Sequence, residues 1–61
     1  MNGNDCRKWR ERAGLTQQQL AARMKVSIGC ISQNEQRGDE QVPSTHGIAV
    51  EAVCRTEVQR G

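Results

Sequence analysis

The run Thr16-Gln17-Gln18-Gln19 constrains this chain more tightly than any other part of it. It forms a capping box. The Thr16 hydroxyl can accept the amide proton of Gln19, and the Gln19 side chain reaches back to the Thr16 amide, so a helix must start there. Ser27 is a second helix-opening residue, and only Lys25 and Val26 separate it from Met24, the last residue of the preceding apolar stripe. Two helices joined by so short a turn must cross steeply. Their backbones then approach closely, which requires a small side chain at the crossing, and Ala21 and Ala22 supply one.

Helix, short turn and capped helix is the spacing of a helix-turn-helix unit, although an ordinary helical hairpin shares it. The rest of the chain also reads as helix. Residues 5–13 make a first helix, capped by Asn4 or Asp5 and stopped by Gly14, with Cys6, Trp9, Arg10 and Ala13 on one face. Leu20, Met24 and the adjacent Ala21 form the buried stripe of the second helix, and the third covers 28–36. A loop over 37–43 is bounded by Gly38 and Pro43. Ser44 or Thr45 then caps a fourth helix, running from about 45 to 59 within a C-terminal helical unit over 44–59. That helix carries two apolar stripes: Ile48, Ala49, Ala52 and Val53, and Val50, Cys54 and Val58. One stripe closes the core and the other is left wet in a monomer, which predicts a homodimer, with Val50, Cys54 and Val58 as its interface. Period-two alternation is missing, so the expectation is one all-α domain over 1–61, of four or five helices.

Composition narrows the function classes. Among 61 residues, 34% hydrophobic, roughly a dozen large apolar side chains remain once Ala, Cys and Met1 are set aside, near the lower limit for an independent core. So small a core excludes a cofactor-binding fold or a two-lobed cleft, and no cofactor is expected. No apolar run approaches the ~18 residues of a membrane span. Residues 1–10 lack the apolar centre of a secretion signal, so a cytoplasmic chain is expected. Cys6, Cys30 and Cys54 are odd in number and scattered. They fit neither a disulfide framework nor, with His46, the close ligand pairs of a structural zinc site, so no metal is expected. One His, no Tyr and no close Cys–His or His–carboxylate spacing give no catalytic constellation, and an enzyme is not expected. Charge is uneven. Residues 1–37 hold seven basic and three acidic side chains, whereas 38–61 hold two basic and four acidic, which suggests a polyanion on one side.

The stretch R-K-W-R-E-R-A-G-L-T-Q-Q-Q-L-A-A-R-M-K-V-S-I-G-C-I-S-Q-N-E resembles the Cro/C1-type (Xre-like) helix-turn-helix regulators of phage and bacteria, a lambda-repressor-like fold. G-L-T-Q-x-x-L-A, over 14–21, is its specific part, and the likeness runs from Arg7 to about Cys54. The resemblance implies that Ala21 is the small residue at the helix crossing. It puts Leu20, Met24, Val26 and Ile31 in the core and makes 27–36 the recognition helix. It also implies a partly buried ion pair between Arg10 and Glu35. Three positions depart from the family pattern. Lys25 replaces the usual turn Gly and must adopt a left-handed conformation or reshape the turn. Asn34 replaces a large apolar residue and weakens packing, and Glu35-Gln36-Arg37-Gly38 is one residue longer than usual. The ending V-P-S-T-H-G-I-A-V-E-A-V-C-R is similar to that of the anti-CRISPR-associated autorepressors, small dimers that repress their own operon.

A recognition helix lies in the major groove, so Ile28, Gly29, Cys30 and Gln33 are the expected base-contacting residues. Gln33 can pair bidentately with adenine, Ile28 can pack on a thymine methyl, and Gly29 permits close approach. Gln17, at a helix N-terminus, and Arg23, Lys25, Gln36 and Arg37 are the expected phosphate contacts. A thiol at Cys30 on that face would be sensitive to oxidation. The expected partner is a double-stranded inverted-repeat operator, bound by a homodimer of a phage or mobile-element repressor. The alternative is a protein-binding module such as an antitoxin, which the acidic pair Asp39-Glu40 suits better than it suits a phosphate.

Overall fold

In the computed structural model, which describes residues 1–60, the chain forms four helices: α1 (Gly3–Arg12), α2 (Gln17–Met24), α3 (Ile28–Glu35) and α4 (Ser44–Arg60). Local chemistry explains each start. The Thr16 hydroxyl accepts from the Gln19 amide at 3.0 Å, and Gln19 Oε1 accepts from the Thr16 amide at 2.9 Å. Ser27 Oγ accepts from the Cys30 amide at 3.2 Å. α1 begins earlier than the sequence suggests, because Asn2 rather than Asn4 or Asp5 is its cap. Asn2 Oδ1 accepts from the Asp5 amide and Asp5 Oδ2 accepts from the Asn2 amide, a second capping box.

The ends of α1 and α2 use one device twice. After α1, Gly14 is left-handed at φ 73°, its amide donates to the Glu11 carbonyl, and the Leu15 amide donates to the Arg10 carbonyl. After α2, Lys25 is left-handed at φ 59°, its amide donates to the Ala22 carbonyl, and the Val26 amide donates to the Ala21 carbonyl. Both are Schellman closures, which satisfy carbonyls that a helix end would otherwise orphan. Lys25 thus takes the conformation that normally favours Gly, and the tight turn is kept.

α1 packs on α4 and α3, and α2 packs on α3 and α4. Cys6, Leu15, Leu20, Ala21, Ile31, Val42, Val50 and Cys54 form the buried core, with Met1, Trp9, Ala13, Met24 and Val53 packed against it. Two expectations are corrected. Val50 and Cys54 are fully buried and Val58 is half-buried, so this stripe closes the core and is not a free dimer surface. The wet stripe is the other one, where Ile48 is 69% exposed and Ala52 is exposed. The stripes lie side by side around one axis, and only the direction from which α1 and α2 approach selects between them. Val26, expected in the core, is 37% exposed; its place in the closure after α2 puts it at the rim.

The chain start is sewn to the loop after α3. The Gly3 amide donates to the Glu40 carbonyl, Asn4 to Gly38, and the Val42 amide to the Met1 carbonyl. Asn2 and Gln41 form an isolated antiparallel bridge. Met1, which the sequence left outside the core, covers Gly47 and Val42. At Gly3 the approach is so close that a Cβ would lie 2.5 Å from the Asn34 carbonyl oxygen and 2.9 Å from that of Glu35. These are backbone atoms at the end of α3 and cannot swing aside. Gly3→Ala is therefore expected to lower stability by about 1–3 kcal/mol, the usual cost of overpacking. Urea denaturation of the two chains measures it.

Candidate nucleic-acid interface

The α2–turn–α3 unit presents one side of α3 to solvent. Ile31 and Asn34 face inward, whereas Gly29, Gln33 and Gln36 are exposed, with Ser32 half-buried beside them. Ile28 is 50% exposed and lies on the flank nearest Glu35 by helical register. Of the four expected base contacts, the structure thus places Ile28, Gly29 and Gln33 at the surface. Cys30 is the exception. It stands about 200° around the axis from Ile28, is half-buried, and points its Sγ to within 4.0 Å of His46 Nδ1 on α4. Ser32, which the sequence reading missed, shares the outer side, and its hydroxyl accepts from Gln36 Nε2 at 3.4 Å. Its i+4 spacing from Ile28 was the signal that could have found it.

What holds this surface in place is an ion pair. Arg10 Nε donates to Glu35 Oε2 at 2.7 Å and Arg10 Nη2 to Oε1 at 3.1 Å, a two-bond fork. Arg10 Nη1 donates to the Leu15 carbonyl at 2.9 Å, and Gln17 Nε2 donates to Glu35 Oε1 at 3.2 Å. The Glu35 side chain is 5% exposed. Its hydrogen bond to Arg10 raises the guanidinium further above its ordinary value, against the opposing effect of burial. The Arg10–Glu35 pair therefore ties the end of α1, the loop before α2, the first residue of α2 and the end of α3.

The expected phosphate contacts separate into two groups. Lys25 and Arg37 are exposed and flank α3 at its two ends, and Gln36 is exposed on its last turn. Arg37 Nη1 donates to the Gln41 carbonyl at 3.4 Å. The other two are engaged elsewhere. Arg23 pairs with Glu57 of α4 at 2.9 Å, and the Gln17 side-chain amide is spent on Glu35. Glu51 and Glu57 are also paired, with Arg55 and Arg60. The cations without an ion pair among the described residues, Arg7, Lys8, Arg12, Lys25 and Arg37, all lie in the first 37 residues. This locates the basic bias read from the sequence.

Residues 6–56 of the chain match the helix-turn-helix domain family, a span that includes α2, the turn and α3. The chain belongs to that family. No curated protein and no solved structure matches it significantly. In this helix-turn-helix domain Asn34 fills the inward position with a polar group, and its Nδ2 donates to the Cys30 carbonyl at 2.7 Å. No helix is long and apolar enough to cross a membrane among the described residues.

Two outcomes follow for this helix-turn-helix scaffold. Arg10→Ala or Glu35→Ala leaves one buried charge alone and is expected to cost about 3–5 kcal/mol. A domain of this size has about 3–9 kcal/mol in total, so thermal melts of either variant should show a midpoint lowered by about 12–40 °C. Arg10→Met combined with Glu35→Leu should recover much of the loss. The second concerns His46, which burial holds below its ordinary 6.5; Glu35 opposes that shift and Arg37 adds to it. Above pH 6.5 the imidazole is neutral whether the chain is folded or not. Below it the unfolded chain binds a proton more readily than the folded chain does, so stability falls as pH drops from 6.5 towards the folded value. Urea midpoints at about pH 7.5 and 5.5 should show a decline that His46→Gln flattens.

Proposed function

We propose that this chain is a sequence-specific double-stranded DNA-binding transcription regulator, a repressor of the Cro/C1 kind acting on its own or a neighbouring promoter in a phage or mobile-element operon. The observation that carries the reading is the outer side of α3. It is exposed, flanked by Lys25 and Arg37, and its end is held by the buried Glu35 fork. A helix offered in this way fits the major groove, and unpaired cations at both ends fit the phosphates on either side. Gln33 is the residue able to read adenine by two hydrogen bonds, and Ile28 can meet a thymine methyl. Lys25, Gln36 and Arg37 take phosphate roles, together with the backbone amides at the start of α2. Repression needs no chemistry: occupying a site that overlaps a promoter excludes polymerase. The anti-CRISPR-associated autorepressors remain the subtype that the C-terminal sequence resembles.

A homodimer reading an inverted repeat is part of the proposal, with its surface moved to the wet stripe of α4. Ile48 is the most exposed large apolar side chain of the chain's described residues, and Ala52 lies one turn further on. Pairing there would set two α3 helices about 34 Å apart, one turn of DNA.

Selection from random duplex DNA tests the reading. The expected product is an inverted repeat with half-sites about one turn apart, bound with a steep salt dependence. Gln33→Ala should cost about 1–3 kcal/mol and relax preference at one base pair in each half-site. Ile48→Glu should make the chain monomeric in sedimentation while leaving its helix content intact. Recovery of no sequence, with weak binding lost at moderate salt, would leave the protein-binding alternative instead.

A further inference from the structure

The three cysteines stand in different surroundings. Cys6 and Cys54 are fully buried in the core, where burial pushes the Cys6 thiol up to about 11 and raises that of Cys54. Cys30 instead lines an open groove of about 330 Å³ between the turn, α3 and the start of α4, together with Met24, Val26, Asn34, Pro43 and His46. Within it Cys30 Sγ and His46 Nδ1 are 4.0 Å apart.

Asn34 settles which way the imidazole is protonated. Its Nδ2 donates to the Cys30 carbonyl at 2.7 Å, which fixes the amide orientation, and the same nitrogen faces His46 Nδ1 at 3.5 Å. Two donors, the amide and the thiol, thus converge on Nδ1, so Nδ1 carries the lone pair and Nε2 the proton. His46 is 8% exposed, and its Nε2 has no hydrogen-bond partner among the described residues. A buried polar atom left in that state is costly and asks for an explanation beyond packing. Asn34 Nδ2 also lies 3.6 Å from Cys30 Sγ, where it can donate to the sulfur as charge develops.

We propose that Cys30 is an oxidant-responsive modification site for hydroperoxides, with His46 as the base that accepts its thiol proton. The proton moves from Sγ to Nδ1 while the sulfur electron pair attacks the terminal peroxide oxygen. The O–O bond breaks, and the departing hydroxide or alkoxide takes the proton from the imidazolium. Thiol and hydroperoxide become sulfenic acid and water or alcohol: sulfur loses two electrons and the peroxide gains them. A thiol reductant can reverse the change. The new S–OH stands in the seam where α3 meets the first turn of α4, so it acts on the seating of α3. The chemistry does not depend on DNA binding and is testable without it.

The experiment exposes the full chain to dilute hydrogen peroxide with a dione trap for sulfenic acid and follows each cysteine by peptide mass spectrometry, folded and in urea at the same pH. Folding should speed the reaction at Cys30, because only the folded chain brings His46 to it, and should slow it at Cys6 and Cys54. His46→Gln should slow Cys30 by about tenfold or more while Cys6 and Cys54 stay protected, which separates loss of a base from a loosened core. Slower reaction of Cys30 in the folded chain than in urea would overturn the proposal. So would an unchanged Cys30 rate in a folded His46→Gln variant.

Discussion

The fork between Arg10 and Glu35 is the constraint on which the rest of this structure depends. A chain of 61 residues has too few large side chains to define the angle of every helix by packing alone. Arg10 replaces missing apolar contact with direction. Its three nitrogens reach Glu35 twice and the Leu15 carbonyl once, and Gln17 adds a further bond to the same carboxylate. The desolvation cost of burying both charges is large, and the pair adds little net stability for that reason. Its contribution is specificity of arrangement: α3 can end in one place only. Gly3 acts at the same point from the other side, since α1 starts directly against the last carbonyls of α3.

That arrangement gives α3 three distinct sides. The inner side, Ile31 and Asn34, is buried. The outer side, Gly29, Gln33 and Gln36, is free for a partner. The third side, at Cys30, faces α4 across a groove and meets His46. The polar Asn34, which by analogy with the family looked like a weakness in packing, joins the last two elements instead: it bonds the α3 backbone and orients the imidazole of α4. A polar residue that costs apolar burial is here the link between α3 and the C-terminal helix.

Much of this was legible in the residues. Thr16, Gln19 and Ser27 announce helix starts through bonds spanning three residues, and such local chemistry survives folding unchanged. Lys25 had either to turn left-handed or to reshape the turn, and it is left-handed. What escaped depends on contacts between distant segments. The residues point to Asn4 or Asp5 as the first cap, and Asn2 takes that place because the loop around Gly38 to Val42 draws the chain start inward. The two stripes of α4 differ by a small rotation, so the choice of Val50 and Cys54 over Ile48 and Ala52 lies in where α1 and α2 press. Arg23 and Gln17 read as phosphate ligands, and nothing local announces that Arg23 pairs with Glu57 and Gln17 with Glu35. Cys30 and His46, 16 residues apart, carry no joint signal before the fold brings them together.

We propose that the outer side of α3, held by the Arg10–Glu35 fork, is the surface that meets DNA. Its most direct test is an amide chemical-shift map of the isotope-labelled chain, titrated with a short mixed-sequence duplex at low salt. The shifts should concentrate on residues 25–37 and the first turn of α2, with those of the α4 face around Ile48 unchanged. Shifts centred on the Asp39-Glu40 loop or on α4, with α3 silent, would contradict it.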